Sequence, residues 1–360
     1  MSASQDRMPV LDGIRAVAVS IVLVAHGGLE RLVPGGLGVT IFFFLSGFLI
    51  TSLMRSENAR TGTVSLSAFY TRRVLRIMPP LWITLLVSAT LVFSGLYPVD
   101  DAFGTGRPIS ALGMVSQAFL FVNYDYFWGQ PNALPITGLW SLAIEEHYYL
   151  VFPLFYLLVL RKLPPRGQVA VCLAICAAAL GFRLYNAATM TDFSANYVWT
   201  HTRMDSILLG ACLALANNPA QDRDAWRPAG WQAMAALALM AATLVVRDEW
   251  FRQTWRYTLQ GGALYVLFGY ALSDHGWVAR VLTSAPAKLV ARYSYTLYLV
   301  HILLIGLFLR WLPWWPAVAV AMAVSFLYAM AMHAWVERPL ANLRRRLHER
   351  ASPPTVTGSA

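Results

Sequence analysis

Apolar residues in this chain come in long blocks separated by short polar stretches, not in the strict alternation of a half-buried strand. Blocks of roughly 15 to 22 residues fall near 10–29, 36–54, 79–97, 139–160, 168–187, 203–217, 230–246, 257–272, 294–311 and 315–336. A hydrocarbon layer about 30 Å thick needs about 20 helical residues, so each block predicts one membrane-spanning helix. The expected fold is all-α: a polytopic membrane protein with about ten transmembrane helices. Ten crossings put both termini on one side.

Charge decides which side that is. The termini and the loops on their side hold nineteen of the 28 Lys and Arg, against eight elsewhere outside the first block. Basic loops stay in the cytoplasm, so both termini are expected there. One further segment, Ile109–Tyr124, is moderately apolar. Counting it as a span would move Arg161, Lys162 and every later basic loop outside, so it is expected to be interfacial, re-entrant or buried between helices. Tyr124, Tyr126, Phe127 and Trp128 fit a headgroup boundary.

Composition agrees: 58% of the 360 residues are hydrophobic and 13% charged, where a soluble domain carries about 25%. The net charge of +10 is dispersed over loops, which reports orientation and not nucleic-acid binding. Cys172, Cys176 and Cys212 all sit in apolar blocks and read as small fillers, not as disulfides or thiolate ligands. No cleavage site follows the first block, so it is expected to be retained. No internal repeat is visible. A single membrane domain is expected over 1–340, followed by a basic, partly disordered cytoplasmic tail over 341–360.

Within this apolar frame a few polar groups stand out, because ionisable side chains in lipid are costly. Arg15 and His26 lie eleven positions apart in the first block. On one α-helix that spacing closes to within about 20° of three turns, placing both on one face about 16 Å apart. Asp12 can orient the Arg15 guanidinium from one turn below. Arg73 and Arg76 share a face just before Pro79, where two forked guanidiniums suit phosphate, although basic residues there also anchor spans to lipid headgroups. The run Trp140-Ser141-Leu142-Ala143-Ile144-Glu145-Glu146-His147 brings two carboxylates and an imidazole to a membrane edge. Glu145 and Glu146 are about 100° apart, so one of them is expected to point inward. The triplet lacks the two-His spacing of a zinc site, and no metal is expected. His201 and Asp205 are one turn apart in a His-x-x-x-Asp string of the kind used in acyl transfer, though such strings recur by chance. Tyr298 and His301, and Glu337-Arg338-Pro339, complete the set.

Taken together, L-D-G-I-R-A-V-A…H at 11–26, G-V-T-I-F-F-F-L-S-G-F-L-I-T at 38–51, F-Y-T-R-R-V-L-R-I-M-P at 69–79, W-S-L-A-I-E-E-H-Y-Y-L at 140–150, R-M-D-S-I-L-L-G at 203–210, Y-S-Y-T-L-Y-L-V-H at 293–301 and E-R-P at 337–339 resemble the acyltransferase-3 family of bacterial integral-membrane O-acyltransferases. The matches run in order along nearly the whole chain. The resemblance implies ten spans in the bacterial plasma (inner) membrane. It also implies transfer of an acyl group from cytoplasmic acyl-CoA, typically acetyl-CoA, to a hydroxyl, often on an exported glycan. The family's Arg-x10-His motif falls on Arg15 and His26, its Arg-x-x-Arg motif on Arg73 and Arg76, and its Trp-Ser-Leu-x-x-Glu motif on Trp140, Ser141 and Glu145. His147 departs from the family, which commonly has Gln or another polar residue there. Many relatives append an extracytoplasmic domain. Twenty residues follow Leu340, so transfer is expected to finish in the membrane unit or on a separate partner.

The expected site therefore has His26 and Glu145 as catalytic groups and Arg15, Arg73 and Arg76 holding acyl-CoA. Trp140, Ser141, Glu146, His147, Asp205, Tyr298 and His301 are placed with the acceptor. His26 serves either as general base or as transient acyl carrier. Partners are acyl-CoA, a glycan or other hydroxyl acceptor, and the bilayer, with no nucleic acid. A macrolide-like acceptor is the second reading. A transporter or flippase of an anionic lipid or metabolite is the rival from another class.

Overall fold

The structure is a computed structural model that describes residues 9–97, 109–124, 133–273 and 276–343. Arg7, Tyr126, Phe127, Trp128 and most of the expected tail, 344–360, lie outside the described residues. Among the described residues every regular element is helical. In chain order these are α1 (Pro9–Val24), continued by a π-helical turn (Ala25–Leu29), then α2 (Gly35–Thr61), α3 (Leu66–Phe93), α4 (Ala111–Ala118) and α5 (Leu139–Leu158). They continue with α6 (Pro165–Thr189), α7 (Thr200–Ala216), α8 (Gly230–Val245), α9 (Glu249–Gln253) and α10 (Trp255–Ala271). The last are α11 (Gly276–Leu282), α12 (Ala285–Phe308) and α13 (Trp314–Met332), which runs into a second π-helical turn (His333–Glu337).

Among the described residues seven helices are long and apolar enough to cross a membrane: Pro9–Leu29, Gly35–Thr61, Leu66–Phe93, Leu139–Lys162, Pro165–Thr189, Ala285–Phe308 and Trp314–Leu343. The three other expected blocks form α7, α8 and α10, of 17, 16 and 17 residues. At 1.5 Å per residue these reach about 24–26 Å, a little short of the hydrocarbon thickness. The ambiguous segment 109–124 holds α4, whose eight residues cover about 12 Å and cannot span. Its Gln117 amide donates to the Leu134 carbonyl (2.8 Å) and accepts from the Leu134 N–H (3.0 Å), tying it to the entry of α5.

One boundary differs from expectation in a way that matters for the site. The third span starts at Leu66, not at Pro79, because Ser65 caps the helix by accepting from the Ala68 N–H. Pro79 and Pro80 then fall inside α3 and deprive the Leu75 and Arg76 carbonyls of their helical donors. Arg73 and Arg76 are thereby carried on the first turns of a continuous membrane helix.

Small residues set the spacing of the central helices. α2 packs along α7, and α1 lies between α2 and α12. A Cβ on Gly47 would meet the Ile207 carbonyl, and one on Gly210 would meet the Phe44 carbonyl, so the α2 and α7 backbones touch through paired glycines. Between lipid-exposed helices such close packing replaces the hydrophobic drive available in water. Gly47→Val is expected to cost about 3 kcal/mol through overpacking. Gly181→Ala on α6, where an added Cβ meets nothing, should be neutral or slightly stabilising. Thermal unfolding of the two variants in detergent, compared with wild type, checks the pair.

Candidate active site

Two cavities follow one another along α1 and α2, the first beside Arg15 and the second beside His26. The first, about 90 Å³, is bordered by Arg15 of α1, Arg73 and Arg76 of α3, Ser141, Glu145, Glu146 and Tyr149 of α5, and Tyr295 and Tyr298 of α12. Several polar groups there are held by neighbours. Arg15 pairs with Asp12 at 2.9 Å, one turn away. The Arg73 guanidinium lies 4.3 Å above the Tyr149 ring. Tyr149 donates to the Ser46 hydroxyl (2.8 Å), which in turn donates to a Glu145 oxygen (2.9 Å). That relay from α5 to α2 fixes the Glu145 carboxyl. Tyr295 donates to the Ile77 carbonyl at 2.8 Å, tying α12 to the proline-bearing stretch of α3. Glu146 borders the same cavity as Glu145, which corrects the expectation that only one of the two points inward. The walls come from several helices, so the cavity embraces more than one face of α5.

The second cavity, about 470 Å³, holds His26 together with Glu30, Arg31, Gly35, Gly36, Tyr197, Arg247, Arg252, Arg256 and Tyr257. His26 sits in the π-helical turn after α1, a turn that needs Gly28 at φ +107° and whose Gly27 carbonyl accepts from the Trp314 indole (3.1 Å). An ideal Cβ on Gly35 would stand 3.7 Å from His26 Nε2, so this glycine keeps space open beside that nitrogen. Arg15 and His26 thus border different cavities, not one continuous groove. The layer between them is thin. Phe43, on the first wall, meets the Arg203 guanidinium at 5.4 Å, and Arg203 stacks 3.7 Å over Tyr257 on the second wall.

A hydrogen-bonded line also crosses this layer. Ser141 and Tyr298 share a hydroxyl contact of 2.6 Å. One turn above Tyr298, His301 is fully buried, and its Nε2 lies 2.8 Å from His26 Nδ1, the two rings meeting edge to edge with their planes 13° apart. His301 Nδ1 lies 2.9 Å from the Tyr298 carbonyl and 3.0 Å from that of Leu297. Carbonyls only accept, so Nδ1 carries the hydrogen and the Nε2 of a neutral His301 must accept. His26 Nδ1 then donates, and the His26 lone pair is on Nε2, beside Gly35 in the second cavity. This is how a general base is held in one tautomer. His301 borders neither cavity and stands behind His26, so it is not a surface that an acceptor could touch.

The model of the family described as an acyltransferase domain matches residues 8–334. The chain belongs to the acyltransferase-3 family. Among curated relatives, the O-acetyltransferase OatA of Staphylococcus aureus strain NCTC 8325 / PS 47 is 32% identical over 304 residues, covering 82% of this chain and 50% of that protein. OatA of strain COL matches to the same extent. The chain spans about half the length of the curated relatives it matches. No solved structure matches it. The acyltransferase-3 stretch includes both cavities and every side chain named above.

Other residues named from sequence fall elsewhere. Asp205 accepts from both terminal nitrogens of Arg183 (3.0 and 2.7 Å) and from Thr258 (2.6 Å), in an ion pair with no exposed surface on either side chain. It does not pair with His201, whose Nδ1 meets the Tyr124 hydroxyl at 2.9 Å, so the His-x-x-x-Asp string forms no dyad. Asp205 is corrected from an acceptor contact to a structural counter-ion. His147 bonds the Thr200 hydroxyl (2.7 Å) and borders neither cavity. Trp140 packs on Tyr197, ring centroids 4.6 Å apart, within the layer between the cavities. Glu337 of the Glu-Arg-Pro stretch accepts from Thr296 (2.7 Å) and bonds His333 (3.0 Å), fastening α13 to α12. Ser46, Tyr149, Gly35 and the arginines bordering the second cavity escaped the sequence reading, since nothing in their spacing marks them. Among the described residues no group of three or more His, Cys, Asp and Glu gathers into a metal site.

Arg183→Met is expected to cost about 3–5 kcal/mol by stranding the Asp205 carboxylate. The double variant Arg183→Met/Asp205→Leu should recover most of it, measured as thermal midpoints in detergent.

Proposed function

We propose that this chain is a ten-span bacterial inner-membrane O-acetyltransferase, with both termini in the cytoplasm and residues 1–340 acting as one membrane unit. It moves an acetyl group from cytoplasmic acetyl-CoA to a hydroxyl of a cell-surface or exported glycan. The observation that carries this reading is the pair of cavities. Three guanidiniums border one, and an oriented imidazole borders the other, with a single side-chain layer between. Family membership and the O-acetyltransferase relatives support the same reaction class.

Arg15, Arg73 and Arg76 fit the phosphates and pantetheine of acyl-CoA, because a fork of N–H donors matches anionic oxygens bidentately. Acetyl-CoA, when bound, supplies the thioester, whose C–S bond is exchanged for the new C–O ester bond while CoA leaves as the thiol. Glu145, fixed by the Ser46 relay, orients the arm entering the layer. The acyl end reaches His26 through the layer that holds Phe43 and Tyr298. His26 Nε2 then takes the proton from the acceptor hydroxyl as its oxygen attacks, and returns it to the departing sulfur. His301 is a positioning residue that keeps the His26 lone pair on Nε2. Hydrophobic walls keep water from the thioester.

The same two cavities would serve a transporter of an anionic lipid or metabolite, which moves its cargo without consuming a thioester. Incorporation of label from radioactive acetyl-CoA, with the protein in its membranes, separates the two. His26→Ala is expected to lower the rate of label transfer by about 10²–10⁴ while the KM for acetyl-CoA holds. Arg73→Ala and Arg76→Ala should instead raise that KM at least about tenfold. Unchanged labelling in His26→Ala removes this residue from the reaction.

His301→Ala should lower kcat about tenfold or more and shift the pH–rate profile without changing the KM for acetyl-CoA. His301→Gln, whose amide oxygen can still accept from His26 Nδ1, should restore part of the rate. A loss from misfolding alone would not be rescued in this way.

A further inference from the structure

Arginine is disfavoured on the translocated face of a membrane protein. Eight Lys and Arg lie away from the cytoplasmic side outside the first block, and six of them gather at one place. Arg31, Arg247, Arg252 and Arg256 border the cavity that holds His26. Arg183 and Arg203 stand behind it, fully buried. The carboxylates nearby do not balance them. Glu30 borders the cavity, Glu249 pairs with Arg252 at 2.9 Å, Asp248 caps α9 by accepting from the Phe251 N–H, and Asp205 is taken up by Arg183, which leaves four carboxylates against six guanidiniums. Arg203 has no carboxylate bonded to it; it donates to the Tyr197 carbonyl (3.3 Å) and Thr40 hydroxyl (3.1 Å) and stacks on Tyr257. Tyr197 and Tyr257 are themselves cavity walls. A buried cation in a low-dielectric wall projects its field into the cavity beside it, adding to that of the four guanidiniums at the mouth.

We infer that the outer cavity is an anion-binding site, and that the acceptor presented to His26 carries a carboxylate or phosphate close to the hydroxyl that is acylated. The inference rests on the reading of His26 as the acceptor-side base and narrows the acceptor from any glycan to an anionic one. A cavity of about 470 Å³ is large enough for a sugar unit together with its charged group. Glycan carboxylates and the phosphate of a lipid-linked sugar share this chemistry. The guanidiniums orient the anion, and the space kept by Gly35 admits the neighbouring hydroxyl to Nε2.

The test uses the full chain in nanodiscs and two matched probe pairs. One is tetragalacturonate against its carboxyl-reduced form, the other a polyprenyl phosphate against the free polyprenol. At least one anionic probe is expected to bind about tenfold or more tightly than its neutral partner, and to weaken as salt is raised. The pair that discriminates identifies the source of the charge. Arg247→Gln/Arg252→Gln should abolish most of the preference, and Arg256→Gln alone should reduce it, with thermal midpoints confirming that each variant is folded. Equal binding of anionic and neutral probes, binding of neither anion, or a preference that survives all these variants overturns the inference. Label transfer from acetyl-CoA is followed on the same preparations. Transfer to neutral and anionic glycans alike would leave the acetyltransferase standing and remove the anion site. Anion binding without thioester consumption would do the reverse.

Discussion

A charge placed in hydrocarbon must find a partner, and that requirement organises this molecule more than any single apolar contact. Arg183 and Asp205 are both fully buried, and their pair joins α6 to α7, with Thr258 drawing in α10. Opposite charges so deep are tolerable only when each remaining donor and acceptor is also used. Here the remaining Arg183 donors go to the Thr254 and Thr202 carbonyls. The network therefore fixes the relative positions of three helices, of which α10 carries Arg256, Tyr257 and Gln260 on the wall of the His26 cavity.

The same rule produces the asymmetry between the two cavities. In the first, arginines and glutamates border a common space, and the Glu145 carboxyl is held by Ser46 of α2, itself held by Tyr149 one turn along α5. In the second, guanidiniums outnumber carboxylates, and an imidazole pair replaces the carboxyl as the polar centre. A neutral His–His pair avoids the desolvation cost of an ion while still fixing a tautomer. Backbone chemistry completes this arrangement. His26 sits in the π-helical turn that continues α1, Gly28 at positive φ ends the regular helix just beyond it, and Gly35 leaves room next to His26 Nε2.

Much of this was legible from the pattern of residues. Block lengths and basic loops predicted an all-helical membrane chain, and Ile109–Tyr124 was separated from the spans by charge alone. Arg15, Arg73, Arg76, Ser141, Glu145, Glu146 and Tyr298 were each picked out, and they do border one cavity. They were findable because polar groups in apolar runs are rare. The misreadings have equally physical causes. Helical spacing placed Arg15 and His26 on one groove, but side chains from other helices, Phe43 and Arg203 among them, stand between the two cavities they border. The His201–Asp205 spacing was right for a dyad, but Arg183, distant in sequence, is the stronger partner for Asp205.

Local periodicity, lipid thickness and the cost of charge in hydrocarbon act along the chain, so the sequence by itself determined the helical class, the location of the membrane segments and which polar residues were exceptional. Pairing acts across helices. Only the tertiary structure decided that His301 stands behind His26, that Ser46 holds Glu145, and that Arg31 meets the arginines of the 247–256 stretch at one cavity. Each of those contacts joins residues tens to hundreds of positions apart, where spacing carries no signal and the packing of helices alone sets the distance.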